Sequence, residues 1–82
     1  MNKKKLFQKI LNSSQNINFN DFIGIAKAFG FSLARVNGSH HILKNNSIAK
    51  QINLQNVNGE AKPYQIKQFL AIVEEFNLSM EE

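Results

Sequence analysis

The sequence predicts an α+β domain: two helices, a three-stranded antiparallel sheet and a closing helix. Three observations predict it. Apolar residues recur at helical spacing near the N-terminus, over 19–29 and again over 66–76, with Phe prominent in each stripe. Between the last two stripes lie short runs of β-formers separated by the turn signals Asn37-Gly38 and Asn45-Asn46. Pro63 then stands where a helix would begin, a position at which its missing N–H costs nothing. At 82 residues the chain is one domain with a modest core.

Taken in order, residues 2–12 read as an amphipathic helix on Leu6, Phe7, Ile10 and Leu11, ended by Asn12-Ser13-Ser14. The polar stretch after it reads as a linker, which makes this helix an appendage. The expected division is therefore 1–18 for helix and linker, 19–78 for the main domain and 79–82 for an acidic tail, with fraying from residue 77. Asn20 is placed to cap the second helix, and Asp21 sits at its positive end. Phe19, Phe22, Ile23, Ala26 and Phe29 form its stripe, and Gly30 stops it. Strands are expected over 31–37, 40–44 and 49–54, with Val57-Asn58-Gly59 as loop. The last helix buries Ile66, Phe69, Leu70, Val73 and Phe76. The α-β-β-β-α order from Phe19 onward is the topology of double-stranded-RNA-binding domains, an analogy of fold that does not establish function.

Charge is unevenly spread. Residues 1–50 hold eight Lys or Arg against Asp21 alone, a balance of +7, whereas residues 51–82 sum to −3. A basic front suits a polyanion such as nucleic acid, although solvated lysines alone would give the same count. Cysteine is absent, so no disulfide or thiolate metal site forms, as fits a reducing cytoplasm. No apolar run approaches the ~20 residues of a membrane span. The basic N-terminus, with its apolar patch broken by Gln8 and Lys9, is not a signal peptide.

The stretch Arg35-Val36-Asn37-Gly38-Ser39-His40-His41-Ile42-Leu43 holds both histidines and the only arginine. It reads as two strands around a tight turn, with Asn37-Gly38 supplying the left-handed backbone. Alternation along a strand sends His40 and His41 to opposite faces, so one site uses one of them. The adjacent pair is not a metal site, because nothing nearby completes a ligand set. His41 is expected to pack or hydrogen-bond on the face opposite His40.

Arg35-Val36 before Gly38-Ser39-His40-His41-Ile42, then Asn58-Gly59-Glu60-Ala61-Lys62-Pro63, then a helix ending at Asn77-Leu78, together resemble the HicA (YcfA-like) toxins. The resemblance runs from about Asn18 to Leu78 and keeps the order and spacing of the elements. It implies the toxin of a type II toxin–antitoxin pair with a double-stranded-RNA-binding-like fold. Such a toxin is an endoribonuclease that cleaves mRNA without the ribosome and is neutralised by a HicB antitoxin covering the active site. The family's functional histidine directly follows Gly-Ser, which is His40 here. The chain departs from the family in its N-terminal helix, in Ile52-Asn53-Leu54-Gln55 where a Val-Pro or Ile-Pro step is common, and in Tyr64-Gln65 where Gly-Thr is common.

The chemistry of His40 suits that role. Metal-independent RNA cleavage needs a base for the ribose 2′-OH and an acid for the leaving oxygen, and an imidazole with an ordinary pKa of ~6.5 serves as either. The same residue also fits a strand histidine that merely holds a turn. Lys44, on the His40 side of the alternation, and Arg35 in the neighbouring strand are candidates to stabilise phosphate charge. Ser39 is a candidate to hydrogen-bond the imidazole or the phosphate. Lys62, at a helix N-terminus, is a candidate phosphate contact. Lys44, Arg35 and Ser39 read more readily as plain surface side chains, whereas for Lys62 the resemblance slightly favours an RNA contact over a solvated lysine. Lys3, Lys4, Lys5 and Lys9 would extend a phosphate-binding surface or simply solubilise a helix face. Tyr64 could stack a base, though packing is the expectation. Two rivals share the fold: a non-catalytic RNA-binding module, and a protein-binding member that no longer engages RNA. The reading calls for no cofactor and no metal, with mRNA and a HicB-type antitoxin as partners.

Overall fold

In the computed structural model, which describes residues 2–80, seven elements follow one another. They are α1 (Lys3–Asn12), α2 (Phe19–Ala28), β1 (Ser32–Asn37), β2 (His40–Asn45), β3 (Lys50–Val57), β4 (Glu60–Ala61) and α3 (Pro63–Glu75). The sheet is antiparallel, in the order β1-β2-β3-β4, with the helices against one face. The α+β class stands as expected, and the strand count does not. Four strands replace three because Asn58-Gly59 is a hairpin turn rather than loop. Asn58 and Gly59 both take left-handed φ values, 54° and 86°, as a two-residue type I′ connection requires, and Val57 pairs with Glu60 across them.

Between β1 and β2 the chain leaves one strand at Asn37 and enters the next at His40, as expected, but Asn37 takes no part in the left-handed turn. Asn37 is the last residue of β1 and pairs with His40, leaving Gly38-Ser39 as the two-residue loop. Only Gly38 is left-handed there, at φ 62°, so glycine at the first loop position sets the turn. The Ser39 carbonyl accepts from Asn56 N at 2.9 Å, which fastens the loop to β3.

Capping is similarly displaced at α2. Its N-cap is Asn18, not Asn20; the Asn18 side chain accepts from Asp21 N at 3.0 Å, and Asn20 lies inside the helix. Asn18 is held there because its flanks extend the sheet. Phe19 N donates to Gly59 O at 2.8 Å, Ala61 N donates to Ile17 O at 2.9 Å, and Asn18 bridges Glu60. Both later helices end on a left-handed residue with paired closing bonds: Gly30 and Phe31 donate to Lys27 and Ala26, and Asn77 and Leu78 to Glu74 and Val73.

The core includes Phe19, Phe22, Ile25, Ala26, Phe29 and Phe31 with Leu43, Ile52, Leu54, Ile66 and Phe69, and α1 adds Leu6 and Ile10 to it. Phe69 meets Phe22, Phe29 and Phe31, ring centroids 5.3–5.8 Å apart. The first helix is therefore not an appendage. Its Phe7 ring also lies 5.0 Å from that of Phe29, so the linker returns α1 to the body of the fold. At the other end Leu78 and Met80 pack on the core rather than fraying. Of the expected acidic tail, Glu81 and Glu82 lie outside the described residues.

Candidate active site on the outer face of the sheet

Alternation along β2 separates its side chains cleanly. Leu43 and half-buried His41 face the helices, while His40 and Lys44 are exposed on the outer face, with Ile42 buried between them. The cross-strand register adds neighbours to that outer face. Asn37 pairs with His40 and Arg35 with Ile42 from β1; Gln55, Asn53 and Gln51 oppose His40, Ile42 and Lys44 from β3. A bulge at Ala34 breaks the register between Leu33 and Arg35. Without that shift Arg35 would continue the parity of Leu33, which lies opposite core residue Leu43.

Arg35 and Lys44 line one groove of ≈ 370 Å³ together with Ala34, Ile42 and Gln51. His40 stands beside this groove, two residues along β2 on the same face. Its ring Nδ1 lies 3.2 Å from Asn53 Oδ1, the diagonal neighbour on β3. The two histidines thus occupy different environments. His41 sets its ring edge against Phe19 at 4.8 Å between centroids, and its Nδ1 donates to the Ser39 carbonyl at 3.4 Å. Ser39 thus meets His41 through its backbone oxygen, while the ring of His40 meets Asn53.

Lys62 is the N-cap residue of α3, without a side-chain cap bond, and Pro63 follows it inside the helix. The place of that N-terminus is fixed by Gln65, a buried residue that the sequence reading did not single out. Gln65 Oε1 accepts from Gln55 N at 2.9 Å, and Gln65 Nε2 donates to Asn53 O at 3.0 Å. The amide thereby stands in for a strand where β4 has ended. Since Gln55 is the cross-strand partner of His40, the first turn of α3 lies on the far side of β3 from His40, on the order of 10 Å away. Lys62, which follows β4, thus lies toward one edge of the sheet, and Arg35 on β1 toward the other. Tyr64 does not pack as expected. It is 60% exposed, and the Lys62 ammonium sits over its ring, 5.6 Å from the centroid.

Sequence reasoning missed both Asn53 and Gln65. The parity of β3 places Asn53 outward, but its meeting with His40 depends on a register that no local signal supplies. Among the described residues no group of three or more His, Cys, Asp or Glu is placed to hold a metal ion. No helix among them is long and apolar enough to cross a membrane.

What the arrangement can do is bind a phosphodiester backbone across cationic side chains and present one exposed imidazole to it. Comparison with known proteins bears on the same region. A family model described as the HicA toxin of bacterial toxin–antitoxin systems matches residues 19–74, from the start of α2 almost to the end of α3. Neither the curated proteins nor the solved structures give a match.

Proposed function

The chain belongs to the HicA toxin family, the toxins of bacterial toxin–antitoxin systems, and from that premise we propose that it is a ribosome-independent endoribonuclease acting on mRNA in the cytoplasm. The single observation supporting this reading is the exposed His40 imidazole on a face that also carries Arg35 and Lys44. RNA crosses the strands from Arg35 toward Lys62, placing a phosphodiester over His40. The imidazole takes the proton of the ribose 2′-OH, the 2′-oxygen attacks the adjacent phosphorus, and the P–O5′ bond breaks. The protonated imidazole then returns its proton to the leaving 5′-oxygen. Arg35 and Lys44 stabilise the charge on the non-bridging oxygens. The step needs no metal, and positioned acid–base transfer contributes ~10²–10⁴-fold.

Membership of the family carries an antitoxin partner with it. We read that partner as a HicB-type protein that covers the outer face of the sheet. We read the fold from α2 to α3 as double-stranded-RNA-binding-like, with β4 as a short addition. The test follows from the chemistry. A defined RNA should yield fragments ending in a 2′,3′-cyclic phosphate and a 5′-hydroxyl, and a 2′-deoxy substitution at the cut site should abolish that cut. Binding without cleavage would instead support the RNA-binding-module reading, and cleavage of the 2′-deoxy RNA would rule out 2′-OH attack.

A further inference from the structure

The imidazole of His40 has two nitrogens, and only one of them can be the base that meets RNA. We propose that Asn53 is a positioning residue that holds the proton of neutral His40 on Nδ1, leaving Nε2 as the free lone pair presented to substrate. The inference rests on the nuclease reading above and deepens it.

The geometry supplies the argument. Asn53 Oδ1 lies 3.2 Å from His40 Nδ1. A carboxamide oxygen only accepts, so the nitrogen facing it must carry the hydrogen, and in a neutral ring the other nitrogen is then unprotonated. Left to solvent, an exposed histidine has no such assignment. Asn53 itself is anchored from behind, because its carbonyl accepts from the buried Gln65 amide at 3.0 Å while Gln65 also holds Gln55 N at 2.9 Å. One chain of contacts thus runs from the start of α3, through Gln65 and the β3 backbone, to the Asn53 side chain and His40. The other charged groups on this face are Arg35 on β1, Lys44 on β2 and, beyond Val57, Glu60 on β4. Asn37 and Gln55 also bring carboxamides to the strand positions opposite His40, but Asn53 is the one whose side-chain oxygen lies within hydrogen-bond distance of the ring.

The experiment uses the intact chain labelled with ¹⁵N in histidine. Long-range ¹H–¹⁵N correlation spectra, above the pH at which imidazole titrates, report which nitrogen carries hydrogen. The expected result is Nδ1–H for His40 in the native protein and a shift toward a mixture of tautomers in Asn53→Ala. In parallel, Asn53→Ala should lower kcat about tenfold at unchanged KM, a fraction of the ~10²–10⁴ that positioned acid–base transfer supplies. Asn53→Asp restores an acceptor and should recover the rate. Its added negative charge favours the imidazolium, so the pH at which activity is lost on acidification moves upward. Nε2–H in the native protein, an unchanged tautomer in Asn53→Ala, or a change confined to KM would each overturn the proposal. The expected tautomer without RNA cleavage by the native protein overturns the nuclease reading and the positioning role with it. The wrong tautomer with cleavage overturns the positioning role alone.

Discussion

His40 and His41 are consecutive in the chain and share no environment: the first is exposed beside Asn53, and the second lies edge-on to Phe19 behind the sheet. Substitutions at the two positions should therefore separate stability from activity. His41→Ala removes an aromatic edge contact worth about 0.5–1.5 kcal/mol beyond its buried area, and should lower the urea midpoint while the folded protein keeps its activity. His40→Ala should leave stability within about 0.5 kcal/mol, as for surface positions in general. Paired denaturation and activity measurements on both variants check this, and a reversed pattern would contradict it.

Gln65→Ala strips two polar backbone partners at once, leaving Gln55 N and Asn53 O unpaired at the edge of β3. The expected loss is about 1–3 kcal/mol per orphaned group that stays shielded from water, read as a lower denaturant midpoint. Hydrogen exchange at the Gln55 amide should accelerate in the same variant.

Helix α1 lies outside the matched family region yet contributes Ile10 to the core. Ile10→Ala should cost about 2–5 kcal/mol, the range for large-to-small changes at buried sites. An unchanged thermal midpoint would show that α1 detaches readily from the rest of the chain.

How much of this was legible in the sequence divides along physical lines. Periodicity located α2, α3 and the β-rich centre, because those signals are local and each helix carries its own apolar stripe. Strand parity separated His40 from His41 and put Lys44 with His40, since that needs only the alternation along one strand. What failed needed contacts distant in sequence. Asn58-Gly59 carried a hairpin signal as strong as Asn37-Gly38, but its second strand is two residues long and shows no alternation. Asn18 rather than Asn20 caps α2 because residues 17–19 bond to Gly59 and Ala61. Leu6 and Ile10 looked like a free-standing stripe because a polar linker says nothing about where it leads. The Asn53–His40 and Gln65–Asn53 contacts are set by register and packing alone.

Electrostatic roles should show in salt dependence. If RNA crosses the outer face, Arg35→Gln and Lys44→Gln should each reduce the slope of log affinity against log salt by roughly 0.7–0.9. Lys3→Gln and Lys5→Gln, on a helix packed behind the sheet, should leave that slope unchanged. Filter-binding or anisotropy titrations across ~50–200 mM salt supply the comparison. Flattening by the α1 substitutions would show that RNA also reaches the helical side.

The most direct measurement of the central claim compares the native protein with His40→Ala on a defined mRNA in buffer containing EDTA, both confirmed folded by circular dichroism. The expected result is cleavage by the native protein and a loss of at least ~10²-fold in the variant, the lower bound for a positioned acid–base group. Equal cleavage by both would contradict the assignment of His40 and place the chemistry elsewhere.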